Sequence, residues 1–248
     1  MPLKAQAVNP PAFGCPNSRT PCIVNQNEKY AKQRTEDSTH VRQGELTPYI
    51  FYLGSLYETE AAGHRSEIAA IRAGVAPVDA DSLNMDDPVN AHYWQQTDLQ
   101  QRLQAAPGLD GLNGADYSAI LFTGGYGTMW DFRENLDAQR LIREVYENGG
   151  IVAAVCHGPA ALVDAKLSNG EYLVSGKNVA AFTNAEEEAT GGAKIVPFLL
   201  ETELVEHGAK HHAAPNWAEN VVVDGRLITG QNPASAKGVG VALAKALG

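Results

Sequence analysis

The sequence predicts an α/β domain built on a mostly parallel sheet. Short apolar segments alternate with segments of helical spacing, which is typical of parallel sheets whose strands are joined by helices. Two predicted strands, Tyr117–Phe122 and Ile151–Val155, lead directly into Gly124-Gly125 and into Cys156. Functional groups of such domains lie at the carboxyl ends of strands, so these two points predict one common site.

The composition indicates a single domain with an ordinary core. The chain has 248 residues, of which 44% are apolar and 19% are charged, enough to bury a sizeable interior. The net charge of -10 argues against nucleic acid or an anionic membrane surface as a partner. We expect no signal peptide and no membrane span, because no apolar run approaches the ~18 residues that a span needs. A cytoplasmic location is therefore expected.

The three cysteines, Cys15, Cys22 and Cys156, do not form a disulfide framework. Cys15 and Cys22 are close in the sequence, but no second pair of ligands has metal-binding spacing. We therefore predict no metal. A reducing compartment would keep the thiol of Cys156 available.

The first part of the chain differs in kind from the rest. Residues 1–46 are rich in Pro, Asn, Gln, Thr and charged residues without a sustained period, and we interpret them as a loosely ordered extension. Residues 47–248 form the predicted single domain. Its first half contains, in order, a strand at 49–53, a weak strand or helix at 67–71, a helix from about 90 to 104, the strand Tyr117–Phe122 and a helix at 136–146.

The second half of the domain continues the alternation. It contains the strand Ile151–Val155, an Ala/Leu-rich helix opened by Gly158-Pro159, a strand at 178–182, a helix at 195–206 and a last helix after Asn232-Pro233. Two short apolar runs flank Asp224-Gly225, and this turn dipeptide predicts a β-hairpin.

Cys156 stands where a strand turns into a helix, the arrangement of a nucleophile elbow. Such a turn lifts the thiol off the strand and brings it near the positive end of the helix dipole, where a thiolate is stabilised. Gly158 has no Cβ, so backbone and substrate can come close there. The adjacent His157 favours a catalytic cysteine over a buried structural one.

A cysteine nucleophile also needs an anion-stabilising pocket and a group that moves protons. The amides of Gly124 or Gly125 are candidates for the pocket, because glycines after a strand expose N–H groups at low steric cost. His157 is the candidate proton carrier and needs an acceptor to steady it. One of the three glutamates at 186–188 can supply that acceptor, and we expect one of them to point inward and two outward.

Five stretches of the sequence resemble the PfpI superfamily, whose fold is that of the class I glutamine amidotransferases. They are 76–83, 122–131, 153–160, 182–188 and 229–235, and the elbow followed by Phe-Thr-Asn-Ala-Glu-Glu-Glu is the most specific combination. The chain is most similar to the heat-shock-chaperone-like branch, the glutathione-independent glyoxalase III enzymes. This resemblance implies a flavodoxin-like, doubly wound sheet with helices on both faces. Tyr126 departs from the pattern, because the family often has a histidine after the paired glycines.

The resemblance also implies the roles of individual residues. It implies a triad of Cys156 as nucleophile, His157 as proton carrier and Glu187 as the residue that orients the histidine. It further implies an early glutamate hydrogen-bonded to the sulfur, and Glu60 is the matching residue. A carboxyl group held against a thiolate in a partly dry pocket stays protonated and can donate to sulfur.

The activity implied by the resemblance is conversion of methylglyoxal, a 2-oxoaldehyde, to D-lactate. Such a D-lactate dehydratase would act as a lyase without metal or organic cofactor, in methylglyoxal detoxification and the stress response. The alternatives are a cysteine hydrolase of amides, peptides or glycated proteins, and a stress chaperone or redox sensor that binds unfolded client proteins. Relatives are commonly homodimers, so we expect a homodimer.

Overall fold

A six-stranded sheet forms the centre of the molecule. The computed structural model describes residues 20–25, 50–76 and 85–248. Its strands are β1 (Thr20–Asn25), β2 (Glu67–Ala70), β3 (Tyr117–Phe122), β4 (Ile151–Val155), β5 (Asn178–Val179), β6 (Lys210–His211), β7 (Val221–Asp224) and β8 (Leu227–Gly230). The main sheet has the order β2-β1-β3-β4-β8-β7, and only the hairpin pair β7 and β8 is antiparallel. Strands β5 and β6 form a separate parallel pair.

Helices pack against this sheet and confirm the predicted α/β fold. They are α1 (Ile50–Ala61), α2 (Pro88–Trp94), α3 (Thr97–Gln104), α4 (Thr128–Asp131), α5 (Leu136–Glu147), α6 (Asn184–Ala189), α7 (Leu200–Glu206) and α8 (Ala236–Leu247). Helix α8 packs against β4, β8 and α1, whereas α5 packs against β3 and β4. In the described part of the chain, no helix is both long and apolar enough to span a membrane.

The central strands β3 and β4 set the position of the site. Every residue of β4 is buried, and so is all of β3 except Ser118. The parallel register pairs Phe122 with Ala154, so the two strands end at almost the same level. The segments that follow them, with Gly124 and Cys156, therefore leave the sheet side by side.

The predicted strand at 49–53 is wrong, because residues 50–53 form the first turn of α1. A short apolar run cannot by itself be distinguished from a buried helical segment. Leu53 and Leu56 are buried three residues apart, and Ser55 donates its hydroxyl proton to Ala236 O (2.7 Å). Packing against α8 therefore selects the helix.

The interpretation of residues 1–46 as an extension is wrong for residues 20–25. These residues form β1, which pairs in parallel with β2 on one side and with β3 on the other. Thr, Ile and Val favour a strand whereas Pro and Asn do not, and hydrogen bonds to two neighbouring strands decide in favour of the strand, since strand formation depends strongly on tertiary context. The other residues of 1–46 lie outside the described residues, and so do positions 77–83 of the family-like stretch 76–83.

Three further elements differ in extent from their predictions. The strand at 178–182 shortens to β5, because the amide of Ala180 donates to the side-chain hydroxyl of Thr229 (2.9 Å) and not to a backbone oxygen of another strand. The helix at 195–206 begins only at Leu200, because Pro197 disfavours a helical residue before it. The helix from about 90 to 104 is divided into α2 and α3.

Candidate active site

Cys156 lies at the turn that follows β4. Its φ of 62° is in the left-handed region, which costs a residue other than glycine about 1–2 kcal/mol. Two hydrogen bonds hold this backbone: its N–H donates to Gly230 O (2.9 Å), and its C=O accepts from Phe182 N (3.0 Å). The side chain is only 3% exposed. The predicted elbow is thus fixed between the end of β8 and the segment before α6.

The helix after the elbow is shorter than predicted. It is a five-residue 3-10 helix, Gly158–Leu162, and not an extended α-helix. The dipole of a helix is the sum of its aligned peptide units, so this short helix stabilises a thiolate less than the predicted one would. The neighbouring imidazole of His157 is the stronger source of positive charge.

His157 links the thiol to a buried carboxylate. Its Nδ1 lies 3.5 Å from Cys156 Sγ, and its Nε2 lies 2.8 Å from Glu187 Oε2. The side chains of His157 and Glu187 are each 2% exposed. Burial disfavours the imidazolium, but the charge of Cys156 and hydrogen bonds with Cys156 and Glu187 outweigh it and raise the pKa of His157 to about 9. A protonated His157 is the counter-ion that a thiolate needs.

Two aromatic rings enclose the imidazole. The ring of Tyr126 lies 4.6 Å from that of His157, and the ring of Phe182 lies 4.2 Å from it, both tilted by less than 40°. Their faces favour a positive charge and exclude water from the hydrogen bond with Glu187. The imidazole is therefore held in the orientation that joins thiol and carboxylate.

The three glutamates at 186–188 do not divide as predicted, because two of them point inward. Glu187 binds the histidine, Glu188 is exposed, and Glu186 is fully buried. Helix α6 begins with a capping box at Thr183, in which the side chain of Glu186 accepts a hydrogen bond from the backbone of Thr183 and therefore points inward.

Glu186 links the start of α6 by hydrogen bonds to Trp217 and Asn232. Its Oε2 accepts from the amide and hydroxyl of Thr183, at 3.1 and 3.0 Å. Its Oε1 accepts from Trp217 N and from Asn232 Nδ2, each at 2.8 Å. Glu186 thereby fixes the backbone from which the next residue, Glu187, reaches the histidine.

The predicted glycines pack closely around the elbow. A Cβ on Gly124 would lie 2.6 Å from Cys156 Cβ and 3.3 Å from its Sγ, and Gly125 has a φ of 114°. A Cβ on Gly158 would overlap Phe122 O, so this glycine serves the contact between the elbow and β3. The anion-stabilising role of these glycines stays a prediction.

Comparison with known proteins identifies the family. The sequence profile of the DJ-1/PfpI family matches residues 95–246, more than half of the chain. The chain belongs to the DJ-1/PfpI family. Glyoxalase 3 of Candida albicans is 30% identical over 224 residues, which cover 86% of this chain and 91% of that protein. Glutathione-independent glyoxalase HSP31 of Saccharomyces cerevisiae is 38% identical over 138 residues, 52% of this chain and 57% of the yeast protein. The chain thus spans little more than half the length of this yeast relative.

Two solved structures share the fold. Rapid Encystment Protein 24 KDa of Francisella tularensis superposes with a TM-score of 0.80 at 30% identity, covering 93% of this chain and 99% of that one. Glyoxalase III of Candida albicans superposes with a TM-score of 0.80 at 24% identity, covering 93% and 98%.

Glu60, the early glutamate expected from the family, is engaged elsewhere. Its Oε1 accepts from Arg102 Nη1 (3.0 Å) and its Oε2 accepts from the Tyr93 hydroxyl (3.3 Å). The same Arg102 donates through Nη2 to Ser66 O (2.8 Å), immediately before β2 begins. Glu60 therefore lies at the amino edge of the sheet, whereas Cys156 lies at the carboxyl edge.

The distance between these edges excludes a contact between Glu60 and the sulfur. Strand register places Glu67 in the same row as Val152, and Cys156 is four residues beyond that row and three strands across. At about 3.3 Å per residue and 4.8 Å per strand, Glu67 and Cys156 are about 20 Å apart. Glu60 lies at the Glu67 end of this distance, because Arg102 joins it to Ser66. The prediction that Glu60 contacts the sulfur is wrong, because α1 runs antiparallel to the strands and carries its last turn to the opposite edge.

Several residues around the triad were not predicted as part of the site. They are Tyr126 and Phe182 on the imidazole, and Thr190 and Gly192 near Glu187. Two of them had a signal in the sequence: Tyr126 departs from the family's usual histidine, and Phe182 begins the family-like stretch 182–188. Among the described residues, no group of three His, Cys, Asp or Glu side chains is arranged to hold a metal ion.

Proposed function

We propose that this chain is a glutathione-independent glyoxalase of the glyoxalase III type, a D-lactate dehydratase that acts on methylglyoxal and related 2-oxoaldehydes. The observation that carries the proposal is the buried chain of contacts from Cys156 through His157 to Glu187. One similar protein is named glutathione-independent glyoxalase HSP31 and another is named Glyoxalase 3, which supports the same substrate class here.

The first step forms a bond between the substrate and Cys156. The thiolate attacks the aldehyde carbon, and the protonated His157 gives its Nδ1 proton to the resulting alkoxide, which yields a hemithioacetal. Glu187 keeps the imidazole oriented and stabilises its charge before that transfer. The amides of Gly124 and Gly125 stabilise the developing oxyanion.

The second step moves a hydrogen between the two substrate carbons. His157, now neutral, takes the proton from the aldehyde-derived carbon and gives it to the oxygen of the neighbouring ketone, which forms an enediol. It then takes the proton of the hydroxyl group on the first carbon and gives it to the neighbouring carbon. The first carbon is oxidised to a thioester as the second is reduced to a secondary alcohol, so no external oxidant is needed. Water then breaks the carbon–sulfur bond, releases D-lactate and restores the thiol. Because Glu60 lies at the opposite edge, these transfers are assigned to His157.

The experiment measures methylglyoxal consumption together with chiral detection of lactate. We expect Cys156→Ala to lose at least about 10³-fold in rate, as expected when a covalent nucleophile is removed. Cys22→Ala is the matched control, because Cys22 is also a buried thiol but lies within β1. Both Cys22→Ala and Glu60→Gln should retain the parent rate.

D-lactate formation by Cys156→Ala at the parent rate would overturn the proposal. Thiol-dependent cleavage of amides or glycated proteins without lactate would instead favour the hydrolase alternative. The homodimer, the cytoplasmic location and the binding of client proteins stay predictions.

A further inference from the structure

The carboxylate of Glu187 has one oxygen that the triad does not use. Oε2 bonds to His157, whereas Oε1 is buried and has no hydrogen-bond partner among the described residues. Leaving a buried acceptor unpaired is unfavourable, and more so when the group is charged. A nearby donor that could reach Oε1 would therefore change the balance of charge in the triad.

The hydroxyl of Tyr126 is such a donor. A Cβ built on Gly192 would overlap both Glu187 Oε1 and the Tyr126 hydroxyl, so these two oxygens are neighbours beside a residue without a side chain. Tyr126 is only 6% exposed. Burial above all raises its pKa far beyond the usual value, and the negative charge of Glu187 adds to this effect. The hydroxyl therefore stays protonated and available as a donor.

The hydroxyl is hydrogen-bonded to one acceptor, and the second acceptor, Glu187 Oε1, lies beside it next to Gly192. The Tyr126 hydroxyl lies 2.6 Å from Thr190 Oγ1. The Thr190 hydroxyl can donate its own proton to the backbone oxygens of Glu186 and Glu187, at 3.2 and 3.0 Å. Thr190 accepts the Tyr126 proton, but its own hydroxyl proton is bonded elsewhere and does not depend on that contact. The tyrosine proton can therefore turn to Glu187 Oε1 with neither hydroxyl proton left unpaired.

The inference concerns the moment when the triad changes charge. While His157 is protonated, its charge balances Glu187, and Oε1 tolerates the absence of a donor. Once His157 has given up its proton, Glu187 is an unbalanced buried carboxylate. Among the described residues, the titratable groups that contact His157 are Cys156 on the elbow, Glu187 on α6 and Tyr126 before α4, since Phe182 on the other ring face carries no charge.

Resting on the proposed roles of Cys156, His157 and Glu187, we propose that Tyr126 is a positioning residue of this triad. Its ring fixes the imidazole, and its hydroxyl turns from Thr190 Oγ1 to Glu187 Oε1 when His157 becomes neutral. No covalent bond changes in this movement, only the acceptor of one proton. Tyr126 thereby makes release of the proton from His157 easier without touching the substrate.

Two substitutions have effects of opposite sign. Tyr126→Phe retains the stacked ring but removes the donor, so neutral His157 becomes less favourable and its pKa rises. Thr190→Val removes the competing acceptor in a side chain of the same shape, so the hydroxyl stays on Glu187 and the pKa of His157 falls. We expect roughly tenfold changes in the ionisation ratio of His157 in each direction, the size typical of one hydrogen bond to a charged group.

The measurement is an NMR titration of the protein labelled with 15N-histidine, with His157 assigned by its absence in His157→Gln. It needs no substrate, so it can fail or succeed independently of the proposed glyoxalase activity. Tyr117→Phe is the matched control, because Tyr117 is also 6% exposed and its hydroxyl also donates to a carboxylate, Glu67 Oε2 (2.8 Å), at the other edge of the sheet. This control should leave the titration of His157 unchanged.

A second readout uses turnover of methylglyoxal. Tyr126→Phe should lower kcat roughly tenfold with little change in KM, because proton release and not binding is impaired. Opposite shifts of the His157 pKa in Tyr126→Phe and Thr190→Val support the inference. Unchanged titrations, or shifts of the same sign in both variants, overturn it, even if D-lactate is formed.

Discussion

The exchange Glu187→Gln removes one charge from the buried triad and preserves the shape of the side chain. In the parent protein the pKa of His157 is about 9, against an ordinary value of 6.5. This difference corresponds to roughly 3 kcal/mol in favour of the imidazolium, and it is the net result of burial, the charge of Cys156 and the bonds with Cys156 and Glu187. An amide at position 187 cannot supply the carboxylate's charge, so we expect the His157 pKa to fall by at least about one unit, a tenfold change in ionisation ratio.

The same difference predicts how stability depends on pH. Because the folded-state pKa lies above the unfolded value, His157 contributes its full stabilisation below pH 6.5 and loses it as the pH rises through about 9. The parent protein should therefore lose up to about 3 kcal/mol of unfolding free energy from this group across that interval. In Glu187→Gln the loss should be smaller, because less of the pKa elevation remains.

The assay is urea unfolding of both proteins at a series of pH values from below 6.5 to above 9. Subtracting the two curves of unfolding free energy against pH cancels the groups that both proteins share. Glu188→Gln, an exposed neighbour on the same helix, is the control and should follow the parent curve. If Glu187→Gln shows the same slope as the parent across this interval, the coupling of His157 to Glu187 inferred from their 2.8 Å contact is refuted.

Two further predictions concern residues that hold the site in place. Gly124→Ala should abolish the reactivity of the Cys156 thiol toward iodoacetamide, because the added Cβ would lie 2.6 Å from Cys156 Cβ. Gly111→Ala is the control and should react like the parent, because nothing lies within 4 Å of a Cβ at that position. Normal alkylation of Gly124→Ala would contradict the close packing. Glu186→Gln should lower the free energy of unfolding by roughly 2–4 kcal/mol in urea, because an amide nitrogen would face N–H and O–H donors. An unaltered stability would show that the four bonds of Glu186 contribute little.

Local patterns were enough to predict the elements that lead to the site. The strands β3 and β4 have the bounds that their apolar runs predict, because strands covered on both faces need a continuous apolar sequence. Helix α5 and the hairpin of β7 and β8 follow in the same way from helical spacing and from Asp224-Gly225. Strand β1 and helix α1 were not predictable, since pairing with two strands and packing against α8 select their structures.

The sequence by itself determined that a cysteine and a histidine stand together on a strand-to-helix turn, because they are adjacent residues at the end of a buried strand. The tertiary structure decided which other groups reach them. It brings Glu187 and Tyr126 to His157 and carries Glu60 to the opposite edge of the sheet. The physical reason is that contacts between residues far apart in the chain depend on the direction and register of whole helices and strands, which no local pattern encodes.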